Sequence, residues 1–157
     1  RLAVSIVTIS IMCSLWMGTA SLLEFLQKYE AAASAYPWLT SSQMRVISQN
    51  ADNAKKYAAA EQICRQNDYC TIALQCMAEK KAQEGDLDSM VSYAKKAMQS
   101  SRYNKEGYEI YIYMLSYAIE TSNAEGNTES TYKYLQTVRE AQTQIRKVEE
   151  ETSVYAK

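Results

Sequence analysis

The sequence contains no histidine, one proline and four glycines among its 157 residues. The absence of histidine excludes Ser-His-Asp and Cys-His catalysis and histidine-ligated metals. So few glycines and prolines leave little turn material for a β-sandwich or a β-barrel. Seventeen basic residues against eighteen acidic ones give a net charge of −1, so there is no basic excess to bind a phosphate backbone. The composition predicts an all-α protein that does not bind nucleic acid.

Charge is also missing from the beginning of the chain, where residues 2–23 are uncharged and follow Arg1. About 20 apolar residues cross the hydrocarbon core of a bilayer, so this run predicts a membrane helix and a location at the cell membrane. Ser10, Ser14 and Gly18 recur every fourth residue, a small-residue stripe that favours close packing with a second membrane helix or a homo-oligomer. A buried helix, a signal peptide and a β-strand are the open alternatives.

The rest of the sequence has the composition of consecutive helices, with helix-breaking and capping residues between them. Pro37 disfavours helix in the residue before it and ends the first of them. Short links between the helices predict antiparallel neighbours. We expect helices over about 24–36, 41–49, 50–66, 69–84, 86–100, 105–123 and 128–155.

Several polar residues are expected to begin these helices. Thr40 followed by Gln43 matches a capping box. Carboxylate and amide side chains accept hydrogen bonds from the first amides of a helix. The expected caps of the next three helices are Asn50 or Asp52, then Asn67-Asp68, then Asp86.

One window, residues 71–104, has the pattern of a tetratricopeptide unit, which is about 34 residues long. Small, bulky and turn residues fall at the required positions, namely Leu74, Ala78, Gly85, Ala97 and Met98. The flanking helix pairs share the hairpin pattern but not the period. We therefore predict an apolar N-terminal helix with its extension over 1–35. A tetratricopeptide-like array of antiparallel helical hairpins is predicted over 36–157.

A series of segments follows the apolar run in a distinctive order. They are YEAAASAYPWLTSSQMRV, ADNAKKYAAAEQICRQND, a helix ending in GDL, SRYNKEGYEIYIYML and a closing helix ending in VEEETSVYAK. In this order they resemble the C-terminal region of O-antigen ligase/polymerase-like membrane proteins of Gram-positive bacteria. The most specific pieces are Tyr36-Pro37-Trp38-Leu39-Thr40 and the block over 108–115.

In that family a multi-spanning membrane domain joins or polymerises lipid-linked glycan, and a helical tail follows its last membrane helix. The resemblance implies that 2–23 are like that last helix, that 36–157 are like the tail, and that the catalytic loop lies upstream of Arg1. It implies a non-catalytic accessory domain, without a cofactor, that holds a partner protein or glycan near the membrane. Arg1 before the apolar run favours an extracytoplasmic helical domain. The alternative is a stand-alone tetratricopeptide-like adaptor that binds a peptide.

Three of the four cysteines, Cys64, Cys70 and Cys76, recur six residues apart. Cys64 ends one predicted helix and Cys70 opens the next, so a disulfide across the turn is geometrically feasible. Buried thiols are the alternative. The Cys-Cys spacing and the histidines of a zinc site are missing, so no metal site is expected.

Tyrosine is abundant, with thirteen residues in total and a cluster over 103–117. Rings with polar tips stack on sugars and grip peptides, which makes some of them candidates for a partner or glycan groove. The alternative is core packing, because the segment 108–119 is apolar nearly all round and is therefore typical of a buried helix. The candidate groove residues are Tyr108, Tyr111, Tyr132 and Tyr134.

Overall fold

The computed structural model describes residues 2–49, 52–67, 69–100 and 105–155, and these residues form eight helices and no strand. This confirms the all-α prediction and the apolar N-terminal helix. The helices are α1 (Leu2–Phe25), α2 (Tyr29–Ala35), α3 (Thr40–Gln49), α4 (Asn53–Gln66), α5 (Thr71–Gln83), α6 (Leu87–Ser100), α7 (Lys105–Ala124) and α8 (Thr128–Tyr155).

The chain divides into two compact units, Arg1–Asn67 and Asp68–Lys157. Helices α1 to α4 belong to the first unit and α5 to α8 to the second. The predicted domains divide instead at 35–36. Because α2 packs on both α1 and α3, the contacts continue across that position in the first unit.

A turn between α1 and α2 interrupts the helix expected over 24–36. The Gln27 amide donates to the Glu24 carbonyl at 2.9 Å, and the Lys28 amide donates to the Leu23 carbonyl at 2.8 Å. These are the two hydrogen bonds of a Schellman motif, which requires a left-handed residue near the helix end. Gln27 takes that conformation, with φ of 58°. Glycine is the usual residue there, so the sequence carried no signal for this break.

The ends of α5 and α7 show the same motif with the expected residue. Gly85 (φ 75°) follows α5 and Gly126 (φ 72°) follows α7. The two amides after each helix donate back to its last turn, as in Asn127 to the Ser122 carbonyl at 2.8 Å. Glycine adopts this conformation without a Cβ clash, so these two breaks were readable from the sequence.

Small residues form the contact between α1 and α2. Ala20 is the buried residue among the described side chains of α1, and Ala32 and Ala33 are the buried residues of α2. Their short side chains let the two helices approach closely. The Trp16 indole Nε1–H donates to the Ala35 carbonyl, so Trp16 lies beside the end of α2.

Two of the expected N-caps are confirmed, and the expected capping box is not. Asp52 caps α4, because its carboxylate accepts the Ala54 amide at 2.9 Å. Asp86 caps α6 by accepting the Ser89 amide at 3.1 Å. The capping box expected at Thr40 is wrong, because Thr40 already lies inside α3 and the Gln43 side chain donates to the Pro37 carbonyl at 3.5 Å.

The beginning of α5 also differs from the sequence prediction, which placed it at 69. The N-cap is Cys70, whose backbone is extended and whose side chain makes no capping hydrogen bond. The helix therefore begins at Thr71. Asp68, part of the expected cap, lies outside the described residues.

The second unit is built around a core to which α5, α6, α7 and α8 all contribute. Its fully buried side chains include Met90 of α6 and Leu115 of α7. Helices α5 and α6 pack together, as do α6 with α7 and α7 with α8. The buried members of the core are Ala78, Met90, Ala94, Tyr111, Met114, Leu115, Ala118, Tyr134 and Ala141.

Candidate functional site

The first candidate surface is the outside of α1. Every side chain from Ser5 to Thr19 is exposed, which is not the environment of a core helix. In the part of the chain that the structure describes, the segment Ser5–Phe25 is the one helix long and apolar enough to cross a membrane. Length and composition fit a membrane span or a signal sequence equally well. The strand alternative is wrong, because the segment is helical.

The small-residue stripe of Ser10, Ser14 and Gly18 lies on this open surface. The Ser14 hydroxyl donates to the Ser10 carbonyl at 2.9 Å, which satisfies it within the helix. Apart from the neighbouring residues and backbone of its own helix, no described atom lies within 4 Å of the position that a Cβ on Gly18 would take. The stripe is accessible for helix packing, and its use by a second membrane helix stays a prediction.

The four candidate tyrosines have different environments. Tyr108, Tyr111 and Tyr134 are buried, whereas Tyr132 is 70% exposed. Tyr108 and Tyr111 line a small cavity of about 190 Å³ between α6, α7 and α8. Burial, and then the charge of Glu140, raise the pKa of Tyr111.

Tyr134 combines core packing with a hydrogen bond to the beginning of α6. Its hydroxyl donates to Asp88 at 2.9 Å, and the Lys133 ammonium lies 3.3 Å from the same carboxylate oxygen. Burial and the bond to Asp88 raise the pKa of Tyr134 to about 12. The phenol therefore keeps its proton at neutral pH and acts as a structural donor that ties α8 to α6.

The exposed tyrosines of α7 lie on its other face. Tyr113 is 68% exposed, and Tyr117 is also exposed. With Met114 they line a groove of about 250 Å³ opposite α5. The residues that α5 contributes are Glu79, Ala82 and Gln83. We call this surface the tyrosine groove.

Sequence reasoning missed the tyrosine groove. The segment 108–119 reads as apolar all round, but tyrosine is amphipathic and sits at water boundaries as readily as in cores. The spacing of residues around α7 could have indicated which tyrosines face outward. The buried positions Tyr111, Leu115 and Ala118 are spaced by four and three residues. Tyr113 and Tyr117 fall between them, on the opposite face.

The cysteines carry thiols in this structure. Cys76 is buried and Cys13 exposed, while Cys64 and Cys70 are half-buried. The Cys64–Cys70 bond stays a prediction for an oxidising compartment. Within the described ranges, no group of acidic or cysteine side chains is arranged to hold a metal ion.

The chain matches no known protein-family model, curated protein or solved structure. The fold and the surfaces define a class instead. It is an all-helical protein with an exposed, apolar N-terminal helix that has the properties of a membrane span or signal sequence.

Proposed function

We propose that this chain is a membrane-attached, non-catalytic interaction domain of a cell-surface polysaccharide ligase or polymerase-like membrane protein. It holds a glycan or a partner protein near the membrane unit that performs the chemistry. The observation that carries the proposal is the exposure of an uncharged helix from Ser5 to Thr19. The resemblance of the segments that follow it supplies the polysaccharide context.

Membrane attachment follows from the free energy of leaving α1 in water. Ile6, Ile9 and Leu15 are all more than half exposed. Transfer of one such side chain out of water is worth about 1.5–3 kcal/mol. A bilayer supplies an apolar environment for all of them, and the helix satisfies its own backbone hydrogen bonds there.

Contacts between helix ends support a tetratricopeptide-like hairpin arrangement in the second unit. The hydroxyls of Thr71 and Ser100 lie 2.9 Å apart, so the first residue of α5 is beside the last of α6. Lys105 at the start of α7 pairs with Glu149 late in α8 at 2.8 Å. Both contacts are those expected of antiparallel hairpins. In such arrays the first helices of successive hairpins share one face, and α5 and α7 together line the tyrosine groove.

The tyrosine groove has the chemistry of a sugar-binding surface. The rings of Tyr113 and Tyr117 present flat apolar faces, against which the C–H face of a sugar ring packs. Glu79 and Gln83 supply carboxylate and amide oxygens that accept hydrogen bonds from sugar hydroxyls. A peptide is the other occupant of such a groove, as in the stand-alone adaptor.

The experiment that tests the membrane assignment is a blot of fractionated source cells with an antibody against residues 128–157. We expect a band much heavier than 17.8 kDa in the membrane fraction, because the proposal makes this chain part of a larger integral protein. A soluble or secreted band near 17.8 kDa would contradict the proposal and favour the adaptor.

Removal of the Tyr113 and Tyr117 rings tests whether the tyrosine groove binds glycan. The full chain, in lipid nanodiscs, is titrated with oligosaccharides cut from the cell-surface polysaccharide of the source cells. We expect the double variant Tyr113→Ala/Tyr117→Ala to bind about tenfold more weakly, because each lost stacking contact is worth about 0.5–1.5 kcal/mol. The matched control is Tyr132→Ala, which removes an exposed tyrosine outside the groove and should bind normally. An equal loss of oligosaccharide affinity in the double variant and in the control would refute the tyrosine groove as the glycan-binding site.

A further inference from the structure

Two uncharged stretches of the chain meet at one end of the first unit. One is the beginning of the chain over 2–23 and the other is the segment 31–44. They are joined where the Trp16 indole donates to the Ala35 carbonyl. The neighbouring residue, Tyr36, packs its ring edge-on against Trp16, with the ring centres 5.4 Å apart.

Trp38 completes this group, with its ring centre 5.9 Å from that of Tyr36. We call Trp16, Tyr36 and Trp38 the aromatic cluster. Trp16 and Trp38 are both exposed, so the cluster is not the core of the unit. Its rings have apolar faces, and the indoles and the phenol have polar tips. This combination is typical of side chains at the boundary between lipid and water.

An ion pair between two helix starts marks the opposite end of the first unit. Lys55 at the start of α4 pairs with Glu30 at the start of α2, at 2.7 Å. At the other end of α4, the Gln66 side chain donates to the Pro37 carbonyl at 2.9 Å. Helix α4 therefore runs from the end with the Lys55–Glu30 pair to the end that carries the aromatic cluster.

We propose that the end with the aromatic cluster rests in the headgroup region of a lipid bilayer, and that only the part of α1 before Trp16 enters the hydrocarbon. This inference rests on the membrane attachment proposed above. It specifies the residue at which α1 passes from the headgroup region into the hydrocarbon. The bilayer is the occupant that fits, because the uncharged run over 2–23 meets the uncharged segment 31–44 at an exposed aromatic cluster. The bilayer core requires the absence of charge, and its interface favours tryptophan and tyrosine.

A deeper boundary at Phe25, the end of the apolar helix, conflicts with what packs beside it. It would bring the 36–39 connection between α2 and α3 into hydrocarbon, where lipid-exposed irregular backbone does not occur. The ion pair between Arg65 and Glu61 near the end of α4 would also enter the hydrocarbon, where charged side chains are costly. The exposed side chains of Leu22 and Phe25 are the feature that favours the deeper boundary. The two boundaries differ in the depth of Trp16, which is measurable.

The test measures the depth of each tryptophan in the full chain, in phosphatidylcholine vesicles whose acyl chains carry bromine at shallow or deep positions. The sequence has two tryptophans, so Trp38→Phe reports Trp16 alone and Trp16→Phe reports Trp38 alone. We expect both at about 15 Å from the bilayer centre, the edge of the hydrocarbon. In a span over Ser5–Phe25, Trp16 follows the midpoint and would lie about 2 Å from the centre. That depth would overturn the proposed boundary but keep membrane attachment, whereas no quenching of either tryptophan would overturn the attachment itself.

A matched pair of lysine substitutions gives a second measurement. Thr8 and Thr19 are both exposed on α1, before and after Trp16. We expect Thr8→Lys to lower the vesicle partition of the chain about a hundredfold, because it places a charge deep in the hydrocarbon. Thr19→Lys should partition like the unmodified chain. A span over Ser5–Phe25 reverses this order, because Thr19 is then nearer the bilayer centre, so a larger loss for Thr19→Lys would overturn the proposal.

Discussion

Replacement of Tyr111 by alanine is expected to lower the free energy of unfolding of the second unit by about 3–5 kcal/mol. The side chain is only 3% exposed and belongs to the core shared by α5, α6, α7 and α8. Its removal forfeits the burial of an aromatic ring and leaves a cavity beside Leu115 and Met114, which relaxes only partly. The measurement is urea unfolding of the full chain in detergent, followed by far-UV circular dichroism.

The same helix supplies a matched control for this prediction. Tyr113→Ala removes the same side chain two residues further on, where it is 68% exposed. Exposed substitutions usually change stability by no more than about 0.5 kcal/mol. A difference between the two variants separates core from groove within α7. Equal losses would mean that the ring of Tyr113 also belongs to the core and that the tyrosine groove is closed.

Replacement of Ala32 by leucine is expected to destabilise the first unit by about 1–3 kcal/mol. Ala32 is 0% exposed, and α2 packs on both α1 and α3. A longer side chain has no space at such a contact and forces the helices apart. Tryptophan emission during denaturation is the measurement, because Trp16 and Trp38 both belong to the first unit and Trp16 is bonded to the end of α2.

The neighbouring Ala31 is exposed, so Ala31→Leu adds the same atoms without crowding. Its unfolding midpoint should match that of the unmodified chain. If Ala32→Leu also left the midpoint and the emission spectrum unchanged, α2 would not be packed as the structure has it. The contact that brings Ala35 to Trp16, and with it the aromatic cluster, would then lose its support.

Helix boundaries were predictable where one residue type has one local role. Asp86 was expected to cap α6 and does so, because a carboxylate next to free amides needs no distant partner. Gly85 was expected to end α5 and follows it in the left-handed conformation that glycine tolerates. Gln27 ends α1 in the same conformation without being glycine. The packing of α2 on α1 accompanies that turn, and no local propensity indicates it.

The tyrosines show that composition alone does not predict which face of a helix is buried. Tyr111 and Tyr113 have the same side chain in the same helix, and the sequence alone left core and groove open for the cluster. A rotation of about 200° along the helix separates them. Which side is buried depends on where α6 and α8 pack, and this is a property of the whole second unit.

The sequence by itself determined that the described residues are helical and that the helix over Leu2–Phe25 is apolar, because propensity, capping and hydropathy act between residues close along the chain. Tertiary structure alone decided which tyrosines face outward and that Trp16 meets Ala35, 19 residues later, beside Tyr36 and Trp38. Such contacts depend on how helices pack against one another, and many sequences with the same pattern of apolar residues pack differently.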